Sequence, residues 1–470
     1  MKKKITIIGA GPSGLAVAYG LSVNGATDIQ IIEKESESGG FSRTLTYNNY
    51  YFDIGPHKLS PLFPEVIDTL RAKLNIELLE KPNYHGVLYN SYVYTYPPNL
   101  KEICTAPTIT EILLFGYSWI VTKLRRVITF DEPDADLKNS LTKIFGKRFC
   151  DKILFQMIEK VWGNHTMHPD FYNTRFSNLS LFGSVWKKIL KKKSIHSNSI
   201  YYPVHGFGDI CRAFEIYLKK NNVKFNFNTT IDSIRCSNPS SLAGPYTIAI
   251  RNNSIENTIH SDCIISTVSN RNLIDNLTRS TEMPELKKLS NSFVSRMLRL
   301  GIIIVTGFHL LYRNIIVPEK KYMFNRIAEM NHYADLNYPE NETLLMLDVI
   351  CEPASIIGSL KKADFEQALL ADALKLKWFS EAQVKMCFSL DFNDAYPVMS
   401  IERYQAQKEL EKKLINSDIY LCGREAASDY NNLHNAVAKG FLVADYLSGK
   451  IGEAEYNARS LKIGRFPILD

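Results

Sequence analysis

The stretch KITIIGAGPSGLAVAYGL, residues 4–21, constrains this chain more than any other. Ile5, Ile7 and Ile8 form a short β-branched apolar run, the mark of a buried strand. Gly9, Gly11 and Gly14 follow with the spacing G-x-G-x-x-G, and Leu15, Val17, Ala18 and Leu21 then recur at helical spacing. In that arrangement Gly9 permits the tight turn off the strand, and Gly11 lets backbone come close to a pyrophosphate. Gly14 lets the helix pack on the sheet, so that the helix N-terminus faces phosphate with unpaired N–H groups. A second apolar run, residues 29–32, ends at Glu33, where a carboxylate can accept from a ribose 2′-hydroxyl. An acid at this place favours FAD or NAD over a cofactor with a 2′-phosphate. The bare glycine pattern also occurs in turns without a ligand. Strand, helix and Glu33 in register favour dinucleotide binding.

With 470 residues the chain can form two or three domains and a large core. Its 45% hydrophobic and 22% charged residues are those of an ordinary globular protein. The net charge of +7 permits an anionic substrate or membrane surface and demands neither. Nothing here points to nucleic acid. The eight cysteines are scattered without a C-x-x-C pair, and several sit in apolar runs, which predicts buried free thiols in a reducing compartment. The fingerprint begins at residue 4 and leaves no room for a signal peptide. The longest apolar stretches, near 112–121 and 300–311, fall short of the ~20 residues that span a bilayer. The expected location is cytoplasmic. A basic segment, VWKKILKKK at 185–193, leaves peripheral membrane contact open, against the plainer reading of a solvated face.

The pattern predicts an α/β protein, α+β overall. A discontinuous Rossmann-type FAD-binding domain would comprise residues 1–85, 200–270 and 395–470. A helical insertion is expected over 86–199 and a β-rich substrate domain over 271–394, with residues 361–385 helical within it. Ligands of such folds bind at the carboxyl ends of the parallel strands, and a cap over that crevice makes a substrate chamber.

Three further stretches sharpen the cofactor. In SGGFSRT, 38–44, the pair Gly39-Gly40 lets the loop lie flat on a pyrophosphate, and Arg43 can offset phosphate charge. YYFDIGPHKL, 50–59, places His57 after a Gly-Pro turn. In YLCGREAASDYNNLHNAVAKG, 420–440, a strand ends in Gly423-Arg424, and the following helix can aim its N-terminus at an electron-accepting ring.

The set Gly9, Gly11, Gly14, Glu33, Gly39, Gly40, Ser42, Arg43, Thr44, Gly423 and Arg424 resembles the flavoproteins that include protoporphyrinogen oxidase, phytoene desaturase and the monoamine oxidases. IEKVWG, 158–163, resembles the E-K-x-W-G element of UDP-galactopyranose mutases and of mutase-like oxidoreductases of bacterial polysaccharide biosynthesis. FNRIAEMNHY, AYPVMSIERY and GREAASDYNNLHNAV fit the same group in the same order. The resemblance implies FAD, with His57 over the flavin. Ser60 stands where the mutases carry a second histidine. Arg175 in YNTRFSNLSL and Arg326 fall where the mutases place arginines on a nucleotide-sugar diphosphate, and Tyr430 matches a tyrosine near the substrate phosphates. Asn432 and Asn435 stand where the mutases carry carboxylates, a departure nearer to the mutase-like oxidoreductases. His165 and His168 lack a third ligand in view, so no metal is expected. Trp162 reads as a packing residue.

The resemblance leaves three readings. The first is an oxidoreductase in which a small molecule, a sugar nucleotide or a relative of one, gives a hydride to flavin N5. The second is a redox-neutral nucleotide-sugar mutase that uses reduced FAD, with Arg175, Arg326 and Tyr430 on the diphosphate. The third is a binding protein like the Rab GDP-dissociation inhibitors, without flavin catalysis. Gly423-Arg424 speaks against the third. Oligomeric state is not legible.

Overall fold

The computed structural model describes residues 3–96, 102, 108–128, 136–168, 199–238, 242–279, 283–334, 338–428 and 432–464. Ile5–Ile8 is buried along its whole length and lies at the centre of a five-stranded parallel sheet. Its order is Ile419–Leu421, Cys263–Ser266, Ile5–Ile8, Ile29–Ile32 and Lys224–Asn226, in the register Ile5↔Cys263 and Ile5↔Ile29. The chain thus leaves this sheet and returns to it from distant parts of the sequence, as a discontinuous Rossmann-type arrangement requires. Helix Pro12–Val23 packs beside helices Gly208–Lys220 and Leu433–Leu447.

A second sheet has seven strands, in the order Val384–Pro397, Ser295–Thr306, Glu342–Cys351, Arg326–Glu329, Asn314–Ile316, His85–Tyr89 and Tyr92–Tyr96. Its neighbours are antiparallel except for the parallel pair Asn314↔His85. One hydrophobic cluster spans both sheets, with Ile7 from the first, Val17 from the helix that follows it, Ile302 and Met346 from the second, and Trp162. The protein is α/β, α+β overall.

The expectation of helix from residue 86 onward is corrected at its start. Residues 85–96 form a hairpin, Tyr89 paired with Tyr92, and the longer helices described after it are Ile109–Ile128, Leu137–Phe145 and Phe155–Trp162. The turn residues Asn90 and Ser91 have φ of 49° and 65°. Positive φ at both central residues is what a two-residue type I′ hairpin turn demands, and asparagine tolerates it. The same device recurs at Asn48-Asn49 and Asn253-Ser254, which join Tyr47 to Tyr50 and Asn252 to Ile255. The expected helix over 361–385 ends at Leu374, and strand resumes at Val384. Among the described residues no helix is long and apolar enough to cross a membrane.

Candidate functional site

A cavity of about 720 Å³ opens at the carboxyl ends of the parallel strands, where Gly9, Glu33 and Thr267 follow Ile8, Ile32 and Ser266. Its near end is made of backbone. Gly9 has φ +103°, and a Cβ there would lie 2.4 Å from Thr267 Oγ1. A Cβ on Gly14 would lie 2.1 Å from Gly9 O and 3.2 Å from Ile7 Cγ2, so only glycine lets the helix close on the turn. Gly14 therefore acts from outside the cavity. Gly11 lines it and caps the helix, and a Cβ there would meet nothing within 4 Å. Gly40 and Ser42 line the same end, and Gly39 N–H donates to Ala10 O at 2.8 Å, tying loop 39–44 to the glycine turn. Glu33 is buried, its two oxygens accepting from Ala10 N at 2.7 Å and Glu35 N at 3.0 Å. A carboxylate oxygen has a second lone pair, so Glu33 keeps capacity for a hydroxyl. Arg43 lines the cavity too, with Glu37 at 3.6 Å and Glu35 at 3.7 Å sharing its charge.

The far end is made of side chains from separate segments. His57, Arg326, Tyr396 and Arg424 all line it, as do Lys58, Asn432 and Leu433. His57 Nε2 donates to Phe41 O at 3.1 Å, which leaves Nδ1 as acceptor. Burial, with the charges of Arg326 and Arg424, lowers its pKa to about 3, so the imidazole is neutral. Arg326 Nε donates to Asp348 Oδ2 at 2.8 Å, and Nη2 bonds the same oxygen. Burial works against the guanidinium charge, yet Asp348, its cross-strand neighbour, holds its pKa above the ordinary value. Helix Leu433–Leu447 points its first turn at this end, capped by Asn432 and Asn435 in a reciprocal box.

Several expected contacts fall elsewhere. Thr44 does not line the cavity; its hydroxyl donates to Asp53 Oδ1 at 2.6 Å and accepts from Gly208 N at 2.9 Å. Asp53 is wholly buried, which raises its pKa to about 6 against the hydrogen bonds from Thr44, Tyr202 and Phe207. Gly423, at φ +95°, sets its turn against Ser13, whose Oγ would lie 2.8 Å from a Cβ. Asn435 is buried and spends Nδ2 on Ile463 O at 3.2 Å. Arg175 and Tyr430 lie outside the described residues, as does segment 185–193. His168 stacks on Tyr404 at 3.7 Å between ring centroids.

Two residues escaped the sequence reading. Asp348 is one, a single carboxylate inside the otherwise apolar run LLMLDVIC, and that isolation was its signal. Lys160, beside the buried Trp162, is the other. Its Nζ donates to Val317 O at 2.7 Å, Glu319 O at 3.1 Å and Phe324 O at 2.5 Å. The E-K-x-W-G element thereby grips the loop that ends at Arg326 and positions that arginine.

The residues present suit a flavin dinucleotide. Gly11 leaves a cradle that a side chain would fill, and Asn432 Nδ2 is buried without a partner beside the cavity. The comparisons agree. Residues 12–448 match the family described as flavin containing amine oxidoreductase. Protoporphyrinogen oxidase 2 of Arabidopsis thaliana is 27% identical over 195 residues, 39% of this chain and 36% of that protein. Coproporphyrinogen III oxidase of Staphylococcus aureus is 27% identical over 272 residues, 50% of this chain and 55% of that one. The chain thus spans about a third to a half of the length of these curated relatives. A reduced UDP-galactopyranose mutase shares the fold with a TM-score of 0.84 and 20% identity, over 98% of this chain and 97% of that one. A protein titled putative protoporphyrinogen oxidase from Exiguobacterium does so with a TM-score of 0.72 and 16% identity, over 96% of this chain and 100% of that one. The chain belongs to the flavin-containing amine oxidoreductase family, and FAD is its cofactor.

Proposed function

We propose that this protein is an FAD-dependent oxidoreductase acting on a small anionic molecule, a sugar nucleotide or a close relative, within the capped cavity. The observation that supports this reading most is the far end of the cavity, where Arg326 and Arg424 gather around a neutral His57 and Lys58 lines the same cavity. Gly9, Gly11, Gly14, Gly39 and Gly40 shape the backbone that would hold the pyrophosphate, with Ser42 and Arg43 beside it and Glu33 on the ribose. Bound FAD supplies a ring able to take up or return a hydride. The first turn of helix Leu433–Leu447 and Arg424 would stabilise negative charge there, and His57 Nδ1 offers an acceptor next to it. Arg326 keeps its charge through Asp348 and is the candidate for a phosphate or carboxylate of the substrate. Arg175 and Tyr430 are part of the same proposal from the sequence resemblance. The buried thiols of Cys150, Cys211, Cys263 and Cys422 support a cytoplasmic location.

A second reading, redox-neutral isomerisation of a nucleotide sugar, draws on the likeness to UDP-galactopyranose mutase over nearly the whole chain. The test is to offer UDP-sugars to dithionite-reduced protein and, separately, to oxidised protein with an electron acceptor. Turnover only with the acceptor supports the oxidoreductase. Isomerised product without net electron transfer replaces it with the mutase. Purified protein without flavin absorbance near ~450 nm would leave the binding-protein reading in front.

A further inference from the structure

Two walls of the cavity's far end come from opposite ends of the chain. One is loop 54–60, where Gly55, Pro56, His57 and Lys58 line the cavity. The other is the start of helix Leu433–Leu447, where Asn432, Leu433 and Ala436 line it. His434 stands among these last residues without lining the cavity. It is 3% exposed, and its ring faces the loop instead.

The bonds of the loop show what holds it. His57 Nε2 donates to Phe41 O at 3.1 Å, and Leu59 pairs with Tyr201 through two backbone bonds of 3.0 Å. At the next residue, Ser60 N–H donates to His434 Nδ1 at 3.3 Å, a contact across 374 positions of sequence. The Lys58 backbone also bonds to this ring, and Phe63 packs on it with ring centroids 4.9 Å apart. The Ser60 hydroxyl accepts from Leu62 N at 3.2 Å and closes the turn that follows. An imidazole accepts at Nδ1 only while neutral, and burial, with the charge of Lys58, keeps this one neutral.

A side chain that acts on a bound ring must be held by neighbours that are themselves fixed. Helix Leu433–Leu447 is fixed, because it packs along helix Pro12–Val23 and its first turn is capped by Asn432 and Asn435. His434 carries that rigidity across to the loop. We propose that His434 is a positioning residue that clamps loop 54–60, and with it His57 and Lys58, to the first turn of helix Leu433–Leu447. The inference rests on the reading above that this end of the cavity holds the flavin ring.

The experiment measures backbone hydrogen exchange of the full chain, as apoprotein and loaded with FAD, in the parent, His434→Phe and His434→Gln. Phenylalanine keeps the contact with Phe63 and loses the acceptor, whereas the glutamine side-chain oxygen can still accept from Ser60 N–H. In His434→Phe the peptide containing Ser60 should exchange at least about tenfold faster, the scale of one lost hydrogen bond, while helix Leu433–Leu447 exchanges as in the parent. The midpoint potential of the bound flavin should shift in the same variant, and His434→Gln should restore both readouts. Should His434→Phe fail to fold, the smaller His434→Leu makes the same comparison. Parent-like exchange in a folded variant overturns the proposal, and so does a loosened loop with an unaltered potential. Protein that takes up no flavin sinks the function proposed above and not the clamp, which exchange in the apoprotein then decides.

Discussion

The two ends of the cavity are built on different principles. The near end is backbone: Gly9, Gly11 and Gly40 with the first turn of helix Pro12–Val23, all within one short span of sequence plus loop 39–44. The far end is side chain: His57, Arg326, Tyr396 and Arg424, brought from four segments and steadied by Asp348 and Lys160. A backbone site tolerates almost any side chain nearby but no Cβ at its glycines. A side-chain site tolerates backbone change but fails when one member of a buried charge pair is removed.

Substitutions can break this contrast at either end. The largest effect is expected from Gly14→Val, whose Cβ would fall 2.1 Å from Gly9 O. Loss of both the cooperative melting transition and bound flavin is expected; a normal melt would show that the helix does not close on this turn. At the far end, Arg326→Ala strands the buried Asp348 and should lower stability by about 3–5 kcal/mol in denaturant titrations. Adding Asp348→Ala should recover most of that stability. It should not recover affinity for inorganic pyrophosphate, which calorimetry should find weakened by about 1.5–3 kcal/mol in both variants. Recovery of affinity in the double variant would remove Arg326 from the anion site.

Protonation gives a third handle. Burial, with the charge of Lys58, lowers the His434 pKa to about 3 from an unperturbed 6.5. Its contribution is full above pH 6.5 and is lost as pH falls toward 3, because only the unfolded chain takes up the proton there. The slope is about 1.4 kcal/mol per pH unit for this one residue. His434→Gln should flatten the fall in stability measured across that window; an unaltered slope would mean that the ring protonates in the folded chain. The smallest effect is expected from Thr44→Val, which removes the bonds to Asp53 and Gly208. About 1–2 kcal/mol of stability should go while the flavin:protein ratio stays the same. A loss of flavin would restore Thr44 to the cofactor site.

The same contrast explains what the sequence discloses. Gly9, Gly11, Gly14 and Glu33 are legible because each turn, approach and acceptor follows from local backbone geometry at fixed spacing. Thr44, Gly423 and Asn435 belong to the right loops, yet sequence cannot tell a residue facing the cavity from one bracing the loop behind it. The Arg326–Asp348 pair was half legible: the arginine stands in a recognisable stretch, but its partner depends on strand register across the sheet. The hairpin at 85–96 was missed although its signal was present. Asn90-Ser91 joins HGVLY to the tyrosine-rich run YVYTY, and weight on the neighbouring helical pattern hid that local turn.

The central claim, that the glycine-lined end of this cavity seats the FAD pyrophosphate, is tested most directly by titrating FAD into apoprotein carrying Gly11→Val and into the parent apoprotein. Gly11 has an ordinary φ of −76°, and a Cβ there meets no protein atom within 4 Å, so the variant should fold with the parent's melting temperature. The account predicts an affinity for FAD at least about a hundredfold weaker, the scale of roughly 2.7 kcal/mol lost through a blocked approach. Equal affinity in a folded variant would contradict it.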